Sequence, residues 1–228
     1  PIRGAIVIAE AARAAGATHV YVPLQNVTQA RLVTGITVTG IASLQSLFRH
    51  LRGFQRLKEA SSDQGLGPSA DSALGPHSTP ATQQQAQNNH PITIDSIIGH
   101  DKAKRALAIA AAGRHNLLLS GPPGTGKTLL VKALASLLPP LGDEEIIEVT
   151  KLHSLSHSTT GNVFTTAPFR SPHHSVTLTA LIGGGLRPAP GDISLAHKGV
   201  LFLDELPEYP RATLEALRQP LEDRTVSL

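Results

Sequence analysis

Cysteine, methionine and tryptophan are absent from this chain of 228 residues. Without cysteine, the chain forms no disulfide, no thiolate metal site and no cysteine nucleophile. Because no methionine stands at position 1 or elsewhere, we expect the sequence to be a fragment that lacks the translational start. Aromatic residues make up only 3% of the chain and hydrophobic residues 40%, so the core is expected to be aliphatic.

Strong charge and long apolar runs are also missing. Twenty basic and 17 acidic residues give a net charge of +3, which is too small to indicate a nucleic-acid partner by itself. We find neither a signal-peptide pattern nor an apolar run of about 18 residues, the length that spans a bilayer. These features predict a cytoplasmic protein with no membrane partner.

A glycine-rich stretch at residues 121–128 matches the phosphate-loop pattern G-x-x-x-x-G-K-[ST] at every fixed position. It consists of Gly121, Pro122, Pro123, Gly124, Thr125, Gly126, Lys127 and Thr128. Glycines let backbone N–H groups approach the phosphates of a nucleotide closely. Lys127 would add a positive charge at the β- and γ-phosphates, and the Thr128 hydroxyl would bind Mg²⁺. We therefore predict that all eight residues bind ATP with Mg²⁺.

The flanks of this loop support the same interpretation. Residues 116–120 form a short apolar run, which is typical of a buried parallel strand entering a phosphate loop. Residues 129–138 have helical character and are followed by two prolines, which end a helix. The expected arrangement is strand, loop and helix.

Two acidic residues follow an apolar strand predicted at residues 200–203. In phosphate-loop ATPases, an acid at this place holds Mg²⁺, partly through water, and the next acid can activate the attacking water. Asp204 would take the first role and Glu205 the second. The alternative is a buried strand followed by a solvated acidic turn, but the phosphate loop upstream favours the nucleotide site.

The chain has three predicted parts. Residues 1–55 alternate between helical and strand patterns, residues 56–91 are rich in Ser, Gln, Gly and Pro and predict a flexible linker, and residues 92–228 carry the nucleotide motifs. Helices are predicted at residues 6–15, 26–34, 43–53, 101–112, 143–155, 193–197 and 211–221, and further strands at residues 18–23 and 35–40. The last residues, 221–228, predict the start of a β-hairpin.

Several unusual segments occur in order after the phosphate loop. They are the run PFRSPHHS at residues 168–175, three glycines at residues 183–185, and the run from GDISLAHKG to the acidic strand at residues 191–207. With these motifs, residues 92–228 closely resemble the ComM/YifB group of Mg-chelatase-like AAA+ ATPases. The resemblance implies an α/β fold with a truncated phosphate-loop AAA+ core, a parallel sheet flanked by helices. Residues 1–55 resemble the C-terminal part of a Lon-protease-like domain.

This resemblance implies a ring-forming ATPase, expected to be a hexamer of identical subunits, that drives DNA branch migration in natural transformation. It makes Glu205 the catalytic base, assigns Mg²⁺ to Thr128 and Asp204, and places residues 97–100 beside the adenine. In AAA+ proteins the sensor residue, the arginine finger and the helical lid follow the segment where this sequence stops. We therefore expect these 228 residues to bind ATP without efficient hydrolysis.

Two other functions remain open: a metal-chelatase motor subunit that drives metal insertion into a tetrapyrrole, and a nucleotide-binding scaffold without turnover. Peptidase activity is not expected, because an apolar residue near Ile6 occupies the place of the catalytic lysine in Lon-like peptidases.

Two sets of residues have both a functional and a structural interpretation. Arg170, Arg187 and Lys198 could contact DNA phosphates in a pore, or serve as ion-pair and surface residues. Two histidine pairs, His173 with His174 and His153 with His157, could bind a metal. Since no third ligand is apparent, core or surface roles are expected for these histidines.

Overall fold

In the computed structural model, the chain is described over residues 1–54, 57, 59–60, 92–156 and 161–226. It divides into two compact units. The first comprises Pro1–Gln85 and Thr150–Val163, and the second Ala86–Val149 and Phe164–Leu228. Nearly all of the predicted linker lies outside the described residues. Among the described residues, none of the helices combines the length and the apolar character needed to cross a bilayer.

The first unit is built on a three-stranded sheet. Its elements in chain order are α1 (Ala5–Ala14), β1 (His19–Pro23), α2 (Val27–Ala30), β2 (Thr37–Ile41), α3 (Leu44–Leu51) and β3 (Glu59–Ala60). β1 pairs with β2 in parallel, and β2 pairs with β3 in antiparallel orientation. The strands and the helices predicted at residues 6–15 and 43–53 are confirmed, whereas the helix predicted at residues 26–34 is reduced to α2 and a preceding 3-10 turn at Leu24–Asn26.

Local chemistry explains where these elements begin and end. The Ser43 hydroxyl accepts a hydrogen bond from Ser46 N, and the Ser46 hydroxyl accepts one from Ser43 N. This capping box satisfies backbone donors that the first turn of α3 leaves unpaired. Gly16, with φ of 84°, allows the left-handed turn after α1. α1 packs through Ala5, Ile6 and Ala9, so Ile6 lies fully buried.

Residues 150–163 complete the first unit through polar contacts. Gly4 N donates a hydrogen bond of 3.0 Å to Ser154 O. Lys151 Nζ lies 2.6 Å from the Glu10 carboxylate. The buried Gln29 side chain donates to Asn162 O at 2.8 Å. The sequence provides no pattern that would predict this grouping, because each contact joins residues distant along the chain.

The second unit contains most of the helices. Its elements are α4 (Asp101–Gly113), α5 (Lys127–Leu137), α6 (Asp143–Leu155), β4 (Phe169–Arg170), α7 (Leu178–Ile182), β5 (Gly183–Gly184), β6 (Ala189–Pro190), α8 (Asp192–Leu195), β7 (Val200–Leu201), α9 (Arg211–Ala216) and α10 (Arg218–Asp223). The last residues of α6, from Thr150 onwards, belong to the first unit. The four helices predicted at residues 101–112, 129–138, 143–155 and 193–197 are confirmed.

An aliphatic core joins α4 to α5. Leu107 from α4 is fully buried against Leu130 and Ala133 from α5, with Ile97 completing the cluster. Burying a leucine side chain stabilises a fold by about 1.5–3 kcal/mol. This packing fixes the start of α5, and therefore the phosphate loop that precedes it.

Three predictions about strands require correction. Residues 116–120 are not a strand, because no described strand offers them hydrogen-bonding partners, and Leu117 and Leu118 are exposed. The strand before the acidic pair is shorter than predicted, since only Val200–Leu201 pairs with Phe169–Arg170, in parallel. Residues 221–223, predicted as the start of a β-hairpin, instead form the end of α10, in which Arg218 and Glu222 form an i,i+4 ion pair at 3.0 Å.

Candidate nucleotide site

The loop at residues 121–128 leads directly into α5. Gly124 and Gly126 have φ values of 80° and 78°, the left-handed region that glycine adopts without strain. A Cβ atom at either residue would meet no neighbouring atom within 4 Å. Glycine is therefore favoured there by the backbone conformation and not by a lack of space for a side chain. α5 begins at Lys127 and is 11 residues long. Its unpaired N–H groups therefore provide an anion-binding end.

The Lys127 side chain closes this loop by donating hydrogen bonds to backbone carbonyl groups of the loop. Its Nζ donates to Gly121 O at 2.9 Å and to Pro122 O at 2.8 Å. The Thr125 hydroxyl also donates to Pro122 O, at 2.9 Å. An ammonium group has three donors, so one remains for a phosphate oxygen. Lys127 thus both shapes the loop and carries its positive charge.

The side chains of Thr128, at the start of α5, and Asp204, after β7, form a hydrogen bond. Thr128 Oγ1 donates to Asp204 Oδ2 at 3.1 Å, and Asp204 Oδ1 accepts from Glu205 N at 3.0 Å. Hydroxyl and carboxylate oxygens are hard ligands of the kind that Mg²⁺ prefers. Both side chains belong to exposed residues, which leaves room for the water ligands that Mg²⁺ usually keeps. The donor set therefore fits Mg²⁺.

Glu205 lies just beyond Asp204 in a left-handed conformation, with φ of 53°. Its side chain is 66% exposed. His174 Nδ1 lies 3.5 Å from Glu205 Oε2, a contact that the sequence did not predict. Only the spacing of both residues from the paired strands could have indicated it.

The segment predicted to border the adenine precedes α4. Ile97 is buried in the core, while Ile98 is 95% exposed. Gly99 and His100 both have positive φ, and Lys104 Nζ donates to Ile97 O. Ile98 is thus the apolar side chain that this segment presents to solvent.

The three predicted DNA-contacting residues differ in their surroundings. Arg170 forms an ion pair and hydrogen bonds with Asp192. Lys198 lies 3.6 Å from a Glu145 oxygen and 3.4 Å from a Glu148 oxygen. These two cations thus have the structural pairing that was the alternative interpretation. Arg187 is exposed in the turn between β5 and β6 and forms no ion pair in the part of the chain described.

The two histidine pairs considered as metal ligands lie in different surroundings. The rings of His173 and His174 lie against each other with their centroids 4.0 Å apart, and His174 lies beside Glu205. His153 is buried in α6. His157 lies outside the described residues, so the second predicted pair stays a prediction.

A family model described as magnesium chelatase, subunit ChlI, matches residues 93–228. The chain belongs to this family. The match covers the phosphate loop, the acidic pair and the unusual segments between them, in agreement with the family resemblance of the sequence.

Two relatives of this magnesium chelatase family member carry different names. The YifB protein of Salmonella typhimurium is 52% identical over 150 residues, 65% of this chain and 30% of that protein. The competence protein ComM of Haemophilus influenzae is 43% identical over 202 residues, 87% of this chain and 36% of that protein. The chain therefore spans about a third of the length of these relatives.

A short stretch of the chain is similar to a Lon protease. The Lon protease of Archaeoglobus fulgidus is 46% identical over 54 residues, which is 24% of this chain and 9% of the protease. The Lon-like character of residues 1–55 stays a prediction.

A charged cluster attaches α6 to the segment before β7 in this family member. Arg114 lies 2.8 Å from Glu145, and His197 lies 3.1 Å from Glu148. A hydrogen bond from Arg114 is the main cause that lowers the pKa of Glu145. For Glu148, the main cause of its lowered pKa is the hydrogen bond with His197, followed by burial acting the other way and by the charge of Lys198.

We predict that Glu148→Gln makes the free energy of unfolding less dependent on pH in acid. Because the pKa of Glu148 is lower in the folded state than the usual 4.5, its stabilising contribution is present above that value and is lost as the pH falls through the folded pKa. Denaturant midpoints measured from about pH 5 to about pH 3 should therefore fall less steeply in the variant than in the wild type.

Glu144→Gln is the matched control, since Glu144 is exposed on the same helix and has no ion pair among the described residues. Its midpoints should follow those of the wild type. Identical pH profiles for Glu148→Gln and Glu144→Gln would contradict the prediction.

Proposed function

We propose that this chain binds ATP with Mg²⁺ at residues 121–128 and forms part of an ATP-hydrolysing motor that acts on DNA. The observation that carries the proposal is the hydrogen bond of 3.1 Å between Thr128 and Asp204. It joins the phosphate loop to the acidic pair, so residues suited to phosphate and residues suited to Mg²⁺ and water lie side by side. Membership of the magnesium chelatase family supports the use of both.

The residues of the site have distinct roles in this proposal. The N–H groups at the start of α5 and the Lys127 ammonium bind the β- and γ-phosphates. Thr128 and Asp204 would hold Mg²⁺, partly through water, and its positive charge would offset that of the phosphates. The Glu205 carboxylate takes a proton from a water molecule.

The chemical step is hydrolysis of the terminal phosphate. As the water loses its proton to Glu205, its oxygen forms a bond to the γ-phosphorus. The bond from that phosphorus to the bridging oxygen breaks, and ADP leaves with the electron pair. Glu205 then returns the proton to solvent, so water and ATP become ADP and phosphate.

The proposed DNA role rests on two features. The name of the relative ComM refers to competence, which supports a role in natural transformation; DNA branch migration is proposed from the family resemblance. The turn between β5 and β6 carries a fully exposed Leu186 beside the exposed Arg187. We propose that in a homo-oligomeric ring, a hexamer by the family resemblance, this turn contacts DNA phosphates. The proposed location is the cytoplasm.

A second candidate is a chelatase motor subunit, favoured by the description of the matching family. ATP turnover of the whole protein that depends on a tetrapyrrole and partner subunits would indicate this function, whereas stimulation by branched DNA would indicate the first. Nucleotide binding without turnover under either condition would indicate a scaffold.

For ATP binding, we predict that Lys127→Ala raises the dissociation constant of ATP–Mg²⁺ at least about tenfold. The variant loses a charged hydrogen bond of about 1.5–3 kcal/mol to phosphate. It also loses the two bonds that close the loop. The measurement is calorimetric titration.

Lys132→Ala removes the same charge from an exposed position on α5 and should bind ATP as the wild type does. Equal affinities for Lys127→Ala and Lys132→Ala would show that the loop does not bind the nucleotide.

For hydrolysis, we predict that Glu205→Gln lowers the turnover of ATP by the whole protein by about 10²–10⁴-fold, the usual cost of losing a general base. ATP affinity should stay within about twofold, because Glu205 contacts the water and not the phosphates. Glu208→Gln is the control, as Glu208 is an exposed carboxylate one 3-10 turn further along. Full turnover in Glu205→Gln would eliminate it as the base.

For DNA, we predict that Arg187→Ala in the whole protein lowers the slope of log affinity against log salt by about 0.9 on duplex and about 0.7 on single strands. The effect should not depend on DNA sequence, because phosphates carry no base information. Arg211→Ala, at an exposed arginine on α9, serves as the control. The same slope for wild type and Arg187→Ala would place the DNA contact elsewhere.

A further inference from the structure

We propose that His174 is a positioning residue that orients the Glu205 carboxylate for proton transfer. The inference rests on the proposed ATPase function. The contact that carries it is the distance of 3.5 Å between His174 Nδ1 and Glu205 Oε2. Among the hydrogen bonds and charge contacts of the described residues, it is the one that involves the Glu205 carboxylate. A carboxylate that is 66% exposed would otherwise sample several rotamers.

The register of the parallel strands brings the two residues together. Arg170 in β4 is paired with Leu201 in β7. His174 lies four residues after Arg170, and Glu205 lies four residues after Leu201. Because parallel strands run in one direction, the segments that follow β4 and β7 leave the sheet at the same edge. The strand pairing therefore brings the two segments that carry His174 and Glu205 close together.

The loop that carries His174 is attached to the segment that follows Glu205. Tyr209, which is 4% exposed, donates its hydroxyl hydrogen to Pro172 O at 2.7 Å. Burial raises the pKa of Tyr209, and the charges of Asp204 and Asp192 raise it further, so the phenol keeps the proton that it donates. Pro172 lies two residues before His174, and Tyr209 lies four residues after Glu205. The hydrogen bond therefore holds the segments that carry His174 and Glu205 close to each other.

Neighbouring groups hold the His174 ring. The His173 ring lies against it at a centroid distance of 4.0 Å, with the two ring planes tilted by 38°. His173 is itself held by the Ser175 hydroxyl, 2.8 Å from its Nδ1. At the start of the loop, the ion pair between Arg170 and Asp192 anchors β4. A ring supported in this way can hold a carboxylate within the small tolerance that catalytic geometry requires.

The test measures kcat and KM for ATP in the whole protein with His174→Phe and His174→Asn. Phenylalanine keeps the ring but removes the nitrogen, so kcat should fall by about 10–100-fold with KM changed by less than about twofold. Asparagine places an amide nitrogen near the position of Nδ1 and should restore most of kcat. His197→Asn, which alters an exposed histidine beside Glu148, should leave kcat unchanged.

Three outcomes decide the inference. Wild-type kcat in His174→Phe, or equal losses in His174→Phe and His174→Asn, would overturn it while leaving the ATPase function intact. If His174 acts through Glu205, adding His174→Phe to Glu205→Gln should cause no further loss, and a further loss would show that His174 acts elsewhere. Full turnover in Glu205→Gln would eliminate Glu205 as the base and overturn this inference while leaving the ATPase function intact, whereas no turnover in the wild type would overturn both.

Discussion

The candidate nucleotide site depends on one hydrogen bond, from the Thr128 hydroxyl to the Asp204 carboxylate. It connects the first turn of α5 with the segment after β7, which are 76 residues apart in the chain. Neither residue defines a nucleotide site alone, since a threonine at a helix start and an acid after a strand are common features. Their meeting places a hydroxyl, a carboxylate and the Glu205 side chain within one exposed area. The phosphate loop and the acidic pair therefore form a single chemical site.

Two supports hold this site in place. Packing of α4 against α5 through Leu107, Leu130 and Ala133 fixes the helix that begins at the phosphate loop. On the other side, the parallel pairing of β4 with β7 sets the direction of the chain entering Asp204. Charge adds to the second support, because Lys198, just before β7, lies 3.6 Å from Glu145 and 3.4 Å from Glu148 of α6. A nucleotide would therefore bind to groups that are already ordered.

The sequence predicted local features well and tertiary pairings poorly. The start of α3 at Ser43 and the end of α5 before Pro139 were predicted correctly, because helix capping and helix termination depend on residues that are neighbours in the sequence. The strand predicted at residues 116–120 failed because an apolar run cannot show whether a strand lies beside it. The Arg170–Asp192 and His174–Glu205 contacts were missed as well, because each joins residues that are distant along the chain. The roles of the predicted site residues stay predictions.

The most direct test of the central claim is a double-mutant cycle on the Mg²⁺ dependence of ATP binding, with Thr128→Ala, Asp204→Asn and both together. If the two side chains form one ion site, each single variant should lose most of the affinity that Mg²⁺ adds, and the double variant should lose little more. The loss should vanish when ATP is titrated in a metal chelator. Additive losses, or a full Mg²⁺ effect in either single variant, would show that Thr128 and Asp204 do not share a metal ion.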